Sequence, residues 1–272
     1  MTVPFENDTG NIVRKLARKS LKSEKRRNLM VVIAVALASC LICFSIVMAL
    51  STRQIEKNHV EDTYEAVYTR ITEEDVSTLK GLDDFSRVGE YYMLAVEPAE
   101  QGYNASYIYC DEETMYIARD QMKLLEGRLP QKEDEVVVSR YFLSNYAADA
   151  GIGEKVMLSS ESFHGEYTVT GIMEGYKEKE VNGSSILLSK EALKGWSGYD
   201  PADYRAYVHF KNEQQMDETE LTARSREIAK EYQLEMPIMN LSYMKFYKQP
   251  VNVSMLAVSY THLRAHETSA HL

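Results

Sequence analysis

Histidine is the residue type whose clustering first raises the question of chemistry in this chain of 272 residues. His262, His266 and His271 lie within the last 11 residues, and a histidine-rich tract is a signal for metal binding. Their spacing does not place two ligands on one face of a helix with a third ligand beside them. The remaining histidines are isolated, so we expect surface or strand-packing roles for His59, His164 and His209.

Motifs for other kinds of chemistry are incomplete or missing from the sequence. It contains no G-x-x-x-x-G-K-[ST] phosphate loop and no G-x-S-x-G nucleophile motif. Gly151-Ile152-Gly153 lacks the third glycine of a dinucleotide fingerprint, and His164-Gly165-Glu166 lacks the second histidine of a zinc-protease motif. We therefore predict that the chain is not an enzyme and has no catalytic, cofactor-binding or metal-binding residues.

An uncharged apolar run occupies residues 29–50. As a helix these 22 residues span about 33 Å, and the hydrocarbon core of a bilayer is about 30 Å thick. The run predicts one transmembrane helix at 29–50. The alternative is a cleaved signal peptide, since Val47-Met48-Ala49 is a passable cleavage site. However, the apolar regions of signal peptides are shorter, at about 7–15 residues.

Basic residues precede the apolar run, and acidic residues dominate the chain after it. Residues 1–50 carry a net charge of +5 and residues 51–272 carry −15. Because short basic flanks stay in the cytoplasm, we predict a cell-membrane protein with its N-terminus inside and residues 51–250 outside. The acidic exterior argues against a nucleic-acid partner, which would need a basic patch.

Residues 1–28 are predicted to form a basic amphipathic helix on the cytoplasmic side. Between residues 11 and 27 the apolar side chains fall on one half of a helical wheel and the Lys and Arg side chains on the other. Such a helix binds anionic lipid headgroups in the plane of the interface. Packing against the membrane-facing edge of a partner subunit is the alternative, and the two roles are compatible.

The exterior region, residues 51–250, is predicted to be an α+β domain of short mixed strands with a few helices. After Leu50 the helix is expected to fray into a polar stalk that leads to about Asp62. Cys110 is the one cysteine of this region, which excludes an intrachain disulfide there, and we expect it to be buried. The predicted strands are 66–71, 89–96, 105–110, 135–139, 155–159, 166–172, 185–188 and 204–210, and the predicted helices are 72–81, capped by Thr72, and 217–232.

The end of the chain changes in character. Residues 251–258 have the composition of an apolar helix that stops after two turns, which we interpret as the aborted start of a second transmembrane helix. Residues 259–272 resemble translated sequencing-adapter DNA of the kind found at the ends of assembled reading frames. We interpret them as an artefact tail on a truncated chain. A genuine tail and a metal site remain as alternatives.

Four stretches together resemble the permeases of MacB/FtsX-like ABC transporters, over about residues 11–258. The first is the basic helix and apolar run of 11–50. The second is Gly127-Arg128-Leu129-Pro130 followed by the strand 135–139. The third is Gly151-Ile152-Gly153 leading into the strand 155–158, and the fourth is the strand 167–172 containing Gly171. Their order and spacing behind an N-terminal anchor carry the resemblance.

This resemblance implies the function of the parent protein. It would be the membrane subunit of an ABC transporter that pairs with itself or a paralogue and with a separate ABC ATPase. ATP-driven motion would reach the exterior domain, which would export or extract a peptide or lipophilic substrate. The family's later membrane helices are missing here, so the chain alone is expected to be inactive. The alternative is a single-pass anchored protein that binds or senses an extracellular ligand.

Overall fold

The computed structural model describes residues 9–23, 25–119, 121–175 and 178–248. The predictions for residues 251–258 and 259–272, including those for His262, His266 and His271, lie outside the described residues. The chain divides into two compact units, residues 1–56 and 57–272.

Two helices dominate the first unit. Helix α1 is Thr9–Ser23, and helix α2 is Lys25–Val60. The apolar side chains of Ile12, Val13 and Leu16 are exposed along α1, as an amphipathic surface helix requires. In α2, Lys25–Asn58 is long and apolar enough to cross a membrane by length and composition, and its apolar side chains are exposed.

The predicted fraying of the helix after Leu50 is wrong, because α2 remains helical to Val60. Residues 53–58 are mostly long polar side chains with high helix propensity, so the helix continues after its apolar run ends. Lys57 and Glu61 add an ion pair of 3.3 Å across one turn.

One sheet of ten strands organises the described part of the second unit. Its order is β10-β1-β9-β2-β3-β8-β5-β7-β4, and β6 pairs with β7. Neighbouring strands are antiparallel except for the parallel pairs β3–β8 and β5–β7. The strands are β1 Ala66–Ile71, β2 Phe85–Pro98, β3 Asn104–Cys110, β4 Met122–Gly127, β5 Glu135–Ser139, β6 Lys155–Ser159, β7 His164–Gly175, β8 Gly183–Leu188, β9 Tyr204–Phe210 and β10 Ile238–Met239.

The sheet is covered unequally on its two faces. The larger apolar core lies on one face and includes Leu79, Phe142, Leu193 and Ile228 from four different helices. The smaller core lies on the other face, where one short helix and its end supply Met115, Ile117 and Ala118. The helices of this unit are α3 Glu73–Lys80, α4 Glu112–Ile117, α5 Arg140–Tyr146, α6 Glu178–Val181, α7 Lys190–Gly195, α8 Glu218–Glu231 and α9 Leu241–Tyr243.

The α+β class is confirmed, and so are most of the predicted elements. Thr72 caps α3 in a capping box, and Asp217 caps α8 in the same way. The strands β4 and β10 and the helices α4 to α7 and α9 were not predicted. The helices have at most seven residues, which is too short for a helical period to be recognisable. Strand β10 has two residues, and the sequence of β4 does not alternate strictly between apolar and polar residues.

Two glycines of the motifs that carry the family resemblance, Gly127 of β4 and Gly171 of β7, are paired across the two strands. Gly127 has φ of +84°, and a Cβ atom placed on it would lie 2.2 Å from the carbonyl oxygen of Thr170. A Cβ atom on Gly171 would lie 2.8 Å from the carbonyl oxygen of Arg128. The backbones therefore approach too closely for any side chain, as expected for a strand that closes against a neighbour.

We expect Gly127→Ala and Gly171→Ala each to lower the free energy of unfolding by about 2 kcal/mol or more, because the new methyl group must displace backbone. Gly151→Ala is the matched control, since the nearest atom to its new Cβ is a Glu154 side-chain oxygen at 3.8 Å. The measurement is denaturant unfolding of the full chain in detergent, followed by the fluorescence of Trp196, the single tryptophan. Equal midpoints for all three variants would contradict the packing argument.

Candidate functional site at the helix-to-sheet junction

The chain passes from the end of α2 into β1 through residues 57–65, and this passage is tightly bonded. The amide of Glu61 donates to the carbonyl oxygen of Lys57 at 2.8 Å. The hydroxyl of Thr63 donates to the carbonyl oxygen of Val60 at 2.9 Å. Asp62 then adopts a left-handed conformation, with φ of 52°, which ends the helix. The carbonyl oxygens of Lys57 and Val60, in the last turn of the helix, thus have partners within the passage.

Arg119 connects this passage to the residues that come after α4. Its guanidinium donates to the carbonyl oxygen of Glu61 and lies 3.6 Å from the carboxylate of Asp62. The same guanidinium lies 5.6 Å from the centre of the Tyr116 ring. A cation beside the C-terminal carbonyls of a helix is favoured by their partial negative charge. Arg119 therefore stabilises the helix end.

Tyr64 joins the passage to the centre of the sheet. Its amide donates to the carbonyl oxygen of Ile117 at 3.0 Å. Its ring packs edge-on against Tyr207 of β9, with 4.7 Å between centroids, and its hydroxyl accepts from the side-chain amide of Gln121. Because ring and hydroxyl are both engaged, Tyr64 can adopt few other rotamers.

Glu65 is a fully buried carboxyl group with two partners on β9. One oxygen lies 2.8 Å from Nδ1 of His209, and the other accepts from the backbone amide of Phe210 at 2.8 Å. Burial raises the pKa of Glu65, and the contact with His209 opposes that change. Burial by itself would lower the pKa of His209, but the hydrogen bond and charge of Glu65 outweigh it and raise that pKa.

A second segment of the chain reaches the same place through Asn240. Its backbone amide donates to the carbonyl oxygen of Glu65 at 2.8 Å, and its side-chain amide donates to that of Tyr64 at 2.9 Å. Its side-chain oxygen caps α9 at the amide of Tyr243, at 3.2 Å. We call residues 57–65 with Arg119, His209, Asn240 and Tyr243 the junction.

A cavity of about 490 Å³ opens beside the junction on the less covered face of the sheet. It draws residues from the passage, from β2, β3 and β8, from the start of β4, and from α9 and its cap. Its lining residues are Val60, Tyr64, Tyr91, Met93, Ser106, Ile108, Gln121, Met122, Ser185, Asn240 and Ser242.

The residues considered for chemistry from sequence lie apart from one another. Cys110 is buried with its sulfur 3.8 Å from that of Met122, and burial raises the pKa of its thiol. His164 is exposed on β7, and Trp196 stacks on Phe163. His59 lies within α2. Within the described ranges, no three His, Cys, Asp or Glu side chains are grouped as metal ligands would be.

Sequence reasoning missed the pairing of Glu65 with His209, and it treated His209 as an isolated residue. The two lie 144 positions apart. An acidic residue directly before the buried strand β1 is the only local sign that Glu65 has a partner, and nothing local identifies that partner.

A comparison with known protein families identifies the family of this chain. A sequence profile described as the MacB-like periplasmic core domain matches residues 29–226. The chain belongs to this family. The profile begins within α2 and ends within α8, so it includes the apolar helix and nearly the whole sheet.

Three solved structures are similar to this MacB-like chain at low identity. The extracellular domain of the noncanonical ABC-type transporter YknZ from Gram-positive bacteria is 15% identical, with a TM-score of 0.46, covering 65% of this chain and 100% of that one. The periplasmic region of MacB from Actinobacillus actinomycetemcomitans is 11% identical, with a TM-score of 0.46 and coverages of 68% and 92%. A domain of a putative permease from Porphyromonas gingivalis is 15% identical, with a TM-score of 0.44 and coverages of 72% and 96%. No curated protein sequence matches the chain.

The junction predicts a pH dependence of stability. A group whose pKa is higher in the folded than in the unfolded state stabilises the fold when protonated. The contribution of His209 is therefore complete below its ordinary pKa of 6.5 and is lost as the pH rises through its higher folded pKa. The raised pKa of Glu65 acts in the same direction. We expect the free energy of unfolding to fall on raising the pH through this window.

The test is urea unfolding of the full chain at several pH values, followed by Trp196 fluorescence. The double variant Glu65→Gln/His209→Gln should remove most of the pH dependence because both titrating partners are gone. His209→Gln alone would take away the contact that opposes the raised pKa of Glu65. His164→Gln is the control and should leave the pH dependence in place, since His164 is an exposed histidine on β7. A slope retained in the double variant would show that another group titrates in this range.

Proposed function

We propose that this chain is the first membrane helix and exterior domain of an ABC transporter permease subunit, and that it passes ATP-driven motion from a separate ATPase to the exterior domain. The junction is the observation that carries this proposal. An anchor that only tethers a domain needs a flexible polar linker, whereas here the passage from α2 to β1 is bonded at nearly every residue. Family membership supports the same assignment.

The bonding pattern supports transmission into the sheet. Glu65 connects the passage to β9, and Asn240 connects it to the segment after β10. Displacement of residues 57–65 would therefore have to move β1 and β9 or break several buried hydrogen bonds. Breaking even one bond to a buried charged group costs about 1.5–3 kcal/mol, so these bonds favour joint movement of the passage and the strands.

The remaining parts of the proposal concern the order of the domains. Residues 1–28 lie on the cytoplasmic side against anionic headgroups, residues 29–50 cross the membrane, and residues 51–250 form the exterior domain. The permease pairs with itself or a paralogue, and its substrate is a peptide or a lipophilic molecule. Catalysis and nucleotide binding belong to the ATPase, and no nucleic acid is involved.

The orientation predicts which residues an impermeant reagent can reach. In a background with Cys40, Cys43 and Cys110 replaced by Ala, we expect Ser77→Cys to react with a charged maleimide on intact cells, since Ser77 is exposed on α3. Asn11→Cys should react only after the cells are opened, because the basic flank of the membrane helix stays inside. Labelling of Asn11→Cys on intact cells would reverse the orientation.

The function is tested by reading the source DNA across the codons for Val258 and Ser259 and expressing the complete frame with the adjacent ATPase gene. We expect about three further apolar spans and a purified permease–ATPase complex. In hydrogen–deuterium exchange, ATP should alter exchange in residues 57–65 and also in β1 and β9. With Arg119→Ala the change in the two strands should shrink, because the helix end loses its bond to the domain.

Arg226→Ala is the matched control, since Arg226 is exposed on α8 and outside the junction. A stop codon after Leu272 with no ATPase gene nearby would refute the permease proposal and favour a single-pass binding protein. An unchanged ATP response in Arg119→Ala would leave the permease assignment intact and refute the role of Arg119 in transmission.

A further inference from the structure

The cavity beside the junction has a lining without charge. None of its 11 residues is Asp, Glu, Lys, Arg or His, although 26% of the chain is charged. Its volume of about 490 Å³ lies in the range of about 300–1,000 Å³ that small-molecule sites occupy. A charged ligand would lose its hydration there with no opposite charge to compensate.

The floor of the cavity is apolar and adaptable. Met93 of β2 and Ile108 of β3 are paired across the two strands, and Tyr91 lies two residues before Met93. Met122 adds a second thioether at the start of β4. Methionine side chains fill irregular space and adjust to ligands of different shape. The floor thus suits a flexible hydrocarbon chain.

Hydroxyl groups supply the polar part of the lining. Ser106 of β3 and Ser185 of β8 face each other in the parallel register of these strands. Gln121 and Asn240 are already engaged with Tyr64. The hydroxyls of Ser106 and Ser242, by contrast, make no hydrogen bond to the residues that the structure describes, so they can bind a hydroxyl or ester oxygen of a ligand.

We infer that this cavity binds an uncharged amphiphile with one aliphatic chain and a hydroxyl or ester group, of the chemical class of a monoacylglycerol. This inference rests on the proposed function, in which the substrate is a peptide or a lipophilic molecule.

The cavity shares Val60, Tyr64 and Asn240 with the junction, and the last two are hydrogen-bonded to each other. A ligand that contacts these two side chains would bias their hydrogen bonds, and movement of the junction would change the shape of the cavity in return. Binding and transmission are reciprocal whenever they share residues in this way.

The test is photolabelling of the full chain in phospholipid nanodiscs with a monoacylglycerol that carries a diazirine in its acyl chain. We expect labelled peptides containing Met93, Ile108 or Met122, and competition by unlabelled monoacylglycerol. Ser106→Phe, which fills the cavity, should reduce this labelling by about tenfold or more. Ser77→Phe is the matched control on an exposed position of α3 and should label as the parent chain does.

Competition on the unmodified chain keeps the proposal testable if Ser106→Phe fails to fold. Label confined to residues 29–50, label that unlabelled lipid does not displace, or equal labelling by the anionic fatty acid of the same length would each overturn the proposal. The experiment needs no ATPase. The two proposals can therefore fail separately. If the permease–ATPase complex forms but the cavity is not labelled, only the cavity proposal is refuted. If the cavity is labelled but the gene has no ATPase partner, only the permease proposal is refuted.

Discussion

A buried carboxyl group sets the geometry on which the rest of the second unit depends. Glu65 is excluded from solvent, and a carboxyl group in such a place is tolerated only when its oxygens are bonded. Its two partners, His209 and the amide of Phe210, are adjacent on β9. Because Glu65 contacts both partners at once, the pairing of β1 with β9 is fixed, and Ala66 lies opposite Val208. A shift of one residue would leave the carboxyl group without partners and reverse the two faces of the strand.

The register of β1 also decides where the chain segments around it lie. With Glu65 fixed, the carbonyl oxygens of Tyr64 and Glu65 point to the position that Asn240 occupies, and β10 pairs with β1 from there. Arg119 donates to the carbonyl oxygen of Glu61, directly after the end of α2. Two segments distant in sequence, residues 57–65 and 240–248, thus meet because one buried acid fixes the strand between them.

The sequence predicted the elements better than the places where they meet. β1, β5, β6 and β9 begin and end where alternation and turn residues indicated, since these signals are local. The close approach of Gly127 to Gly171 was partly visible, because a glycine inside a buried strand suggests crowding. The Glu65–His209 pair and the contact of Arg119 with Glu61 were not visible, because each depends on a tertiary approach between residues far apart in the chain. The cavity was not visible either, since it is formed by side chains from six separate segments.

The proposed kind of function explains why the junction could not be predicted from the sequence. An enzyme that moves protons or phosphoryl groups needs particular residues at particular spacings, and such patterns can be recognised in a sequence. A domain that transmits motion needs stiffness at one place, and stiffness arises from many ordinary hydrogen bonds that share a few side chains. Tyr64 alone contributes a backbone donor, a backbone acceptor, a ring contact and a hydroxyl acceptor to the junction. None of these bonds requires an unusual residue, so the site has no motif and is recognised only when the fold brings its parts together.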